Sequence, residues 1–135
     1  FPRSKTKELL FSYYYKGTSL EQFNKWGENF ATYLSAFIRP KAILEIKEEL
    51  KAKSTILIIS ASLENWILPW ATIHGVNIVI STQPEIDENN KLTGNFATLN
   101  CSGKEKVNRL LQSYPNRNDY ELWAYGDSKG DKDII

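Results

Sequence analysis

The sequence is poor in three residue types whose scarcity limits what the protein can be. Among its 135 residues there is no methionine, one cysteine and one histidine. The single cysteine, Cys101, excludes a disulfide within the chain and favours a reducing compartment, so we expect a cytoplasmic protein. Because even the first position lacks methionine, we expect the natural protein to continue upstream of Phe1.

Net charge and long apolar runs are also missing. Seventeen basic side chains nearly balance sixteen acidic ones, so no overall field draws the chain to nucleic acid or to an anionic membrane. The opening FPRSKTKELL is too charged for a signal peptide, and the longest apolar runs, such as 55–59, fall far short of the ~20 residues that a membrane helix needs. We expect no nucleic-acid partner and no transmembrane segment, whereas peripheral contact with a membrane stays open.

What is present divides the chain into two parts. From Thr6 to about Phe37, apolar and aromatic residues recur at helical spacing, and GTSLEQ indicates a capping box from Thr18 to Glu21. From Arg39 onward, helical patterns alternate with short apolar strands, which is typical of an α/β domain with a parallel sheet. The sequence therefore predicts a helical part over residues 1–38 and an α/β domain over 39–135.

The α/β part can be divided further. Its uninterrupted apolar strand predicts burial on both faces, Ser62 is expected to cap the helix that follows, and Pro69 to kink that helix or confine it to short pieces. The predicted elements are a helix from Pro40, strands Thr55–Ser60 and Val76–Ile80 around a helix Leu63–His74, a hairpin between Glu85 and Phe96, a helix Lys104–Tyr114 and a strand Glu121–Tyr125.

Polar residues gather where the predicted strands end, and open parallel sheets bind ligands at that edge. Clustered carboxylates are unfavourable unless a cation pairs with them. A hydroxyl, an ammonium group and carboxylates at one edge predict a site for a phosphate and a divalent metal. The residues concerned are Ser60, Lys104, Lys106, Asp127, Asp131 and Asp133.

Three stretches carry a resemblance to a known family. ILIISAS, GKEKVNRLL and YGDSKGDKDII, in this order, resemble the second, third and fourth motifs of the haloacid dehalogenase superfamily, in its phosphoserine-phosphatase-like branch. VNIVISTQPEIDENNKLTGNFATLNCSGKEKV is similar to the stretch of that branch in which a hairpin precedes the motif lysine. The resemblance covers 39–135 and implies an α/β fold with a Rossmann-like parallel sheet. Residues 1–38 suit part of the all-helical cap that these enzymes insert into that core.

The resemblance also implies an activity, Mg²⁺-dependent hydrolysis of phosphomonoesters through an aspartyl-phosphate. Ser60 would donate a hydrogen bond to a phosphoryl oxygen, beside the backbone N–H of Ala61. Lys106 would bind the phosphoryl group and neutralise its charge. Asp127 would coordinate the metal, and Asp131 would complete that shell or pair with Lys106. Oxygen ligands favour Mg²⁺ over zinc.

Two features depart from the family. Its first motif, DxDxT, does not occur before the helices, so the nucleophile and the acid-base aspartate are expected outside these 135 residues, which alone are not expected to catalyse. The central strand that carries them is expected to be absent as well, which predicts a separation of ~9 to 10 Å between the backbones at Ile58 and Trp123, twice the strand spacing. Gly130 stands where the family frequently has asparagine.

The substrate stays open at this point. Phosphoserine or another small phosphomonoester is one candidate, and a phosphatidylglycerophosphate-type lipid is another. The alternative of a different class is a nonenzymatic module that binds a phosphate or a metal.

Several polar residues are expected to have no catalytic role: Lys104 as a solvated helix residue, Asp133 as a surface residue, His74 at a helix end and Cys101 in packing. The tyrosines and tryptophans at positions 13, 14, 15, 26, 66 and 70 are expected in the core, although an aromatic face of the helical part could line a substrate pocket.

Overall fold

The computed structural model describes residues 3–135, which form a mixed α/β fold with a small parallel sheet, as the sequence predicted. Its helices are α1 Arg3–Tyr15, α2 Leu20–Leu34, α3 Pro40–Lys51, α4 Glu64–Ile73 and α5 Lys104–Ser113. Its strands are β1 Leu57–Leu63, β2 Ile78–Thr82, β3 Pro84–Ile86 and β4 Leu92–Phe96, and short 3-10 helices lie at Arg117–Asp119 and Lys129–Asp131. None of the helices in this range is long and apolar enough to cross a membrane.

The parallel sheet consists of β1 and β2, connected through α4. The register pairs Leu57 with Ile78 and continues to Ser60 opposite Ser81. Six of the seven residues of β1 are only half-buried, so the prediction of burial on both faces was wrong. The physical reason is that β2 is the one strand paired with β1 among residues 3–135, and the other edge of β1 has no strand to cover it.

The carboxyl end of β1 lies further along the chain than the sequence predicted. The strand runs through Ser60 to Leu63, with an irregular register over its last residues. Leu63 rather than Ser62 is the N-cap of α4, and no side chain caps this helix. The expected role of Ser62 was therefore wrong, because its backbone still belongs to the strand and its N–H donates to Ser60 Oγ at 3.1 Å.

The connection from α1 to α2 pairs with the hairpin. The N–H of Leu92 donates to the carbonyl of Thr18 at 2.8 Å, and the N–H of Leu20 donates to the carbonyl of Asn90 at 2.8 Å. Ser19 forms an antiparallel bridge with Lys91 and is also the N-cap of α2, because its Oγ accepts from the N–H of Gln22 at 3.1 Å. The capping box predicted to begin at Thr18 was therefore wrong by one residue. The predicted hairpin is confirmed as the antiparallel pair of β3 and β4.

Helix α4 is one continuous helix that contains Pro69, so the proline does not divide it. Proline has no N–H to donate to the carbonyl four residues earlier, here that of Asn65. Helix α2 crosses α4 at this place, and a Cβ added at Gly27 would overlap the carbonyl oxygen of Asn65. The two backbones approach closely because Gly27 has no side chain. The carbonyl of Asn65 that faces Gly27 is the one to which Pro69 cannot donate a hydrogen bond.

The core consists of two clusters, and each joins the helical part to the α/β part. The first contains Phe11 and Phe23 from α1 and α2, with Leu63 and Leu92 from the strands. The second contains Ala31, Trp70, Ala71 and Val76. The division into a helical cap over 1–38 and a core over 39–135 stays a prediction.

The tyrosines and tryptophans that were expected in the core are only partly there. Tyr15 and Trp66 pack against the first cluster, as expected, whereas Tyr13, Tyr14 and Trp26 are exposed. The prediction of burial was wrong for these three. Tyr14 and Trp26 line open pockets beside Tyr15 and Trp66, in agreement with the alternative of a pocket lining, whereas Tyr13 lies 82% exposed.

The predicted strand Glu121–Tyr125 was wrong, since this segment forms no strand. A strand is defined by hydrogen bonds to a neighbour, and the sheets within residues 3–135 pair only β1 with β2 and β3 with β4. Trp123 and Tyr125 are exposed, and the Tyr125 hydroxyl donates to Glu45 Oε1 at 3.0 Å. β1 does not pair with this segment, and the separation of Ile58 and Trp123 stays a prediction.

Candidate functional site

The candidate site is organised by Lys106, which lies in the first turn of α5. Its side chain is 9% exposed, and the ammonium group donates to the carbonyl oxygen of Ile59 at 3.2 Å. The same group forms an ion pair with Asp131 Oδ1. One buried cation therefore joins strand β1, at the position next to Ser60, to the segment 126–133, which we call the acidic loop.

Asp131 is held from both sides. While Oδ1 contacts Lys106, Oδ2 accepts from the Ser128 N–H at 3.1 Å and from the Ser128 hydroxyl at 2.7 Å. The hydrogen bond from Lys106, followed by those from Ser128, lowers the pKa of Asp131 from 3.8 to about 2. Its carboxylate is therefore ionised at neutral pH and carries three hydrogen bonds.

Two glycines allow the acidic loop to fold against α5. A Cβ at Gly126 would overlap the side chain of Asp131, and a Cβ at Gly130 would lie 2.8 Å from the hydroxyl oxygen of Ser102. The carbonyl of Gly130 also accepts from the N–H of Gly103 at 2.9 Å. The departure from the family pattern at position 130 thus has a local reason, since a larger residue would push the loop away from Ser102.

Ser60 and Ala61 lie one and two residues beyond the carbonyl that Lys106 contacts. Ser60 Oγ accepts from the Ser62 N–H, and no acceptor for its own O–H is found among residues 3–135, so this hydrogen is available to a ligand. The carbonyl of Ala61 accepts from the Thr82 hydroxyl at 3.0 Å and from the ammonium group of Lys7. The sequence-predicted residues Ser60, Ala61, Lys106 and Asp131 are therefore brought together.

Asp127 is not joined to this group. Its side chain is 67% exposed, and Oδ2 lies 2.9 Å from Arg39 Nη2 in a pair that is exposed on both sides. Within the described range no group of three or more histidine, cysteine or acidic side chains could hold a metal. These residues alone do not form a metal site. Asp127 offers one carboxylate, and both oxygens of Asp131 already accept hydrogen bonds.

Lys7 is a residue of the site that the sequence did not indicate. Its ammonium group donates to Asn100 Oδ1 at 2.8 Å and to the carbonyl of Ala61, and it lies 5.5 Å from the centre of the Phe96 ring. Burial lowers the pKa of Lys7, with a smaller opposing effect from Cys101. Lys7 belongs to the charged run RSKTK, whose composition is typical of an exposed helix start. Nothing in the sequence therefore distinguishes Lys7 from the neighbouring charged residues.

The residues that were expected to have no catalytic role lie in the surroundings that the sequence predicted, and the absence of a role stays a prediction. Lys104 and Asp133 are exposed. His74 ends α4 and its ring lies 4.5 Å from that of Trp70. Cys101 is fully buried, and burial raises the pKa of its thiol, which disfavours the thiolate that nucleophilic attack requires.

Comparison with known proteins shows the family. The sequence model of the haloacid dehalogenase-like hydrolases matches residues 3–134, so the chain belongs to this family. The mixed α/β fold with its small parallel sheet is consistent with this family.

Individual relatives match most of the chain at low identity. Protein CicA of Caulobacter vibrioides is 27% identical over an alignment of 135 positions, which covers 98% of this chain and 60% of the relative. Histidinol-phosphatase of Neisseria meningitidis is 26% identical over 126 residues, 90% of this chain and 56% of the relative. The chain thus spans about 60% of the length of the curated relatives it matches.

A solved structure supports the fold. The crystal structure of a protein with unknown function from Bordetella pertussis Tohama I superimposes with a TM-score of 0.69 at 22% sequence identity. The superposition covers 84% of this chain and 50% of the other. At this identity the likeness concerns the fold alone.

Proposed function

We propose that the complete protein is a phosphomonoester hydrolase in which Lys106 binds the transferred phosphoryl group. The family and the relative named Histidinol-phosphatase support a phosphatase. The attacking group would be an aspartate outside residues 3–135, as the resemblance implies, forming an aspartyl-phosphate that water hydrolyses. The substrate class is a small phosphomonoester, with phosphoserine as one candidate.

The observation that carries this proposal is the ammonium group of Lys106 at the edge of the sheet. It has three N–H donors, of which the carbonyl of Ile59 and the carboxylate of Asp131 take two. The third remains for a phosphoryl oxygen. The ion pair fixes the ammonium group before substrate binds, and charge fixed in advance stabilises the transition state of phosphoryl transfer without reorganisation.

Ser60 would act beside Lys106. Its hydroxyl hydrogen is available, and the Ser62 N–H orients the oxygen, so Ser60 would donate a hydrogen bond to a second phosphoryl oxygen. Asp131 would act through Lys106, holding the ammonium group in place rather than contacting substrate. These roles use groups from three places that the contacts of Lys106 join, namely the end of β1, the first turn of α5 and the acidic loop.

Mg²⁺ dependence is a further part of the proposal. The residues described do not make a metal site by themselves, and Asp127 would contribute one oxygen ligand, with the other ligands from outside them. Its present partner is Arg39, in an exposed pair. Such pairs contribute little free energy, so a divalent ion of higher charge would displace the guanidinium group. Bound Mg²⁺ would neutralise phosphate charge.

The two lysines of α5 provide the test. In the complete protein, Lys106→Ala should lower phosphomonoester turnover by about 100-fold or more, because one fixed electrostatic contact is lost. Lys104→Ala, on the exposed face of the same helix turn, should change turnover little. Circular dichroism would verify that both variants are folded. Equal loss of turnover in the two variants would show that Lys106 does not bind the phosphoryl group.

A further inference from the structure

A second cationic position lies beside the candidate phosphate site. A cavity of about 500 Å³ opens between α1 and the ends of β1 and β4. Its walls combine two cations, Arg3 and Lys7, with apolar and aromatic side chains, among them Leu63, Trp66 and Phe96. Such a cavity fits a ligand that has an apolar or aromatic body and a negative charge at one end.

Among residues 3–135, the charge of Lys7 has no anionic partner. None of the ion pairs found in residues 3–135 includes Lys7 or Arg3. The contacts of the Lys7 ammonium group are neutral, a backbone carbonyl and the amide oxygen of Asn100. Its side chain is half-buried, and a cation removed from water without an anionic partner is unfavourable. One of its three N–H donors remains for an anion.

The position of Lys7 relative to Lys106 follows from strand geometry. Lys106 contacts the carbonyl of Ile59, and Lys7 contacts the carbonyl of Ala61. Carbonyls two residues apart on a strand are separated by roughly 7 Å. This spacing lets each lysine contact a different anionic group of one ligand, the phosphate at Lys106 and a second anionic group of the leaving group at Lys7.

We propose that Lys7 determines substrate specificity by binding a second negative charge on the leaving group. This inference rests on the proposed hydrolase function. The substrate class is then a phosphomonoester whose leaving group has an apolar or aromatic body and carries an anionic group such as a carboxylate. The body would lie against Trp66 and Phe96, with the phosphate at Lys106.

The test compares two matched substrates in the complete protein, para-carboxyphenyl phosphate and phenyl phosphate. The carboxylated substrate should have the higher kcat/KM, and Lys7→Met should lower the ratio of the two values by about 10- to 100-fold, the effect of losing a charge-assisted hydrogen bond. Lys7→Arg should retain most of the ratio. Lys5→Met, which removes an exposed lysine of the same helix, should leave it unchanged.

Direct binding separates this inference from the proposed function. Calorimetric titration with para-hydroxybenzoate, the phenol that hydrolysis releases from para-carboxyphenyl phosphate, needs no turnover. Its binding should weaken in Lys7→Met but not in Lys5→Met. If no phosphomonoester is hydrolysed while binding still depends on Lys7, the hydrolase proposal fails and the anion site stands. Hydrolysis without a Lys7-dependent ratio would overturn the specificity role, and so would equal loss of activity on both substrates.

Discussion

At the scale of single residues, the ion pair of Lys106 and Asp131 determines the geometry of the candidate site. A buried pair is not in itself evidence of stability, because desolvation offsets much of the attraction. Here the remaining hydrogen-bonding groups are also used, by Ile59 on the side of the lysine and by Ser128 on the side of the carboxylate. A pair satisfied in this way has a single favoured arrangement, which is the property a phosphate-binding cation needs.

The lowered pKa of Asp131 gives a prediction for stability against pH. Its pKa falls from 3.8 to about 2 in the folded protein, so the ionised form stabilises the fold. This contribution is complete above about pH 5 and is lost as the pH falls through 4 toward 2. With solvent screening, about 1 to 2 kcal/mol is expected.

The measurement is urea unfolding of the complete protein between pH 7 and pH 2. Asp131→Asn should be less stable than the unmodified protein at pH 7 by that amount, and the difference should shrink toward zero at pH 2. Asp133→Asn, an exposed carboxylate of the same loop, serves as the control. A difference that stays constant with pH would show that the pair with Lys106 does not stabilise the fold.

The sequence identified most residues of the site but not all. Lys106 could be chosen over Lys104 as the motif lysine because an apolar residue, Leu110, follows it four positions later. In the structure Lys106 is buried and Lys104 is exposed. Lys7 could not be found in this way. Its contact with Ala61 depends on how α1 packs on the strands, and long-range packing leaves no pattern in a short charged segment.

At the scale of helices and strands, α2 and α4 cross at such a short distance that there is no room for a side chain at Gly27. Gly27→Ala would place a methyl group against the carbonyl of Asn65, so the helices would have to separate. We expect a loss of about 1 to 3 kcal/mol in the free energy of unfolding, the usual range for overpacking.

Thermal or urea unfolding of Gly27→Ala would measure this effect. Alanine has the higher helix propensity, so an isolated helix would gain stability from the same substitution, and the sign of the change separates the two effects. Glu28→Ala, at the exposed neighbouring position, should change stability by less than about 0.5 kcal/mol. An unchanged or increased stability in Gly27→Ala would contradict the close crossing.

Helices and strands differ in how well the sequence predicted them. Apolar spacing placed α5 and the hairpin of β3 and β4 within a residue or two, because their periodicity and turn residues are local. The strand predicted at Glu121–Tyr125 has the right composition, but a strand also needs a neighbour, and residues 3–135 supply none. The end of β1 was predicted too early because it also depends on a neighbouring strand. Leu63 pairs with Thr82 on β2, which extends β1 beyond Ser60.

At the scale of the whole molecule, the helical part and the α/β part share one candidate site. α1 contributes Lys7 and one wall of the cavity, while β1 and α5 contribute Ser60 and Lys106. This arrangement agrees with the family fold that the sequence predicted, in which helices placed next to the sheet select the substrate. In the proposed enzyme, the sheet edge would bind the phosphate and α1 would recognise the leaving group.

The most direct measurement of the central claim is phosphate release from a phosphomonoester by the complete protein, with Mg²⁺ and with excess chelator, for the unmodified protein and for Asp127→Asn. We expect release to require Mg²⁺ and to fall by about 100-fold or more in Asp127→Asn, because a lost metal ligand removes a fixed charge from the transition state. Asp133→Asn should retain its activity, and circular dichroism should show all three proteins folded. Undiminished release in chelator or in Asp127→Asn would contradict the account.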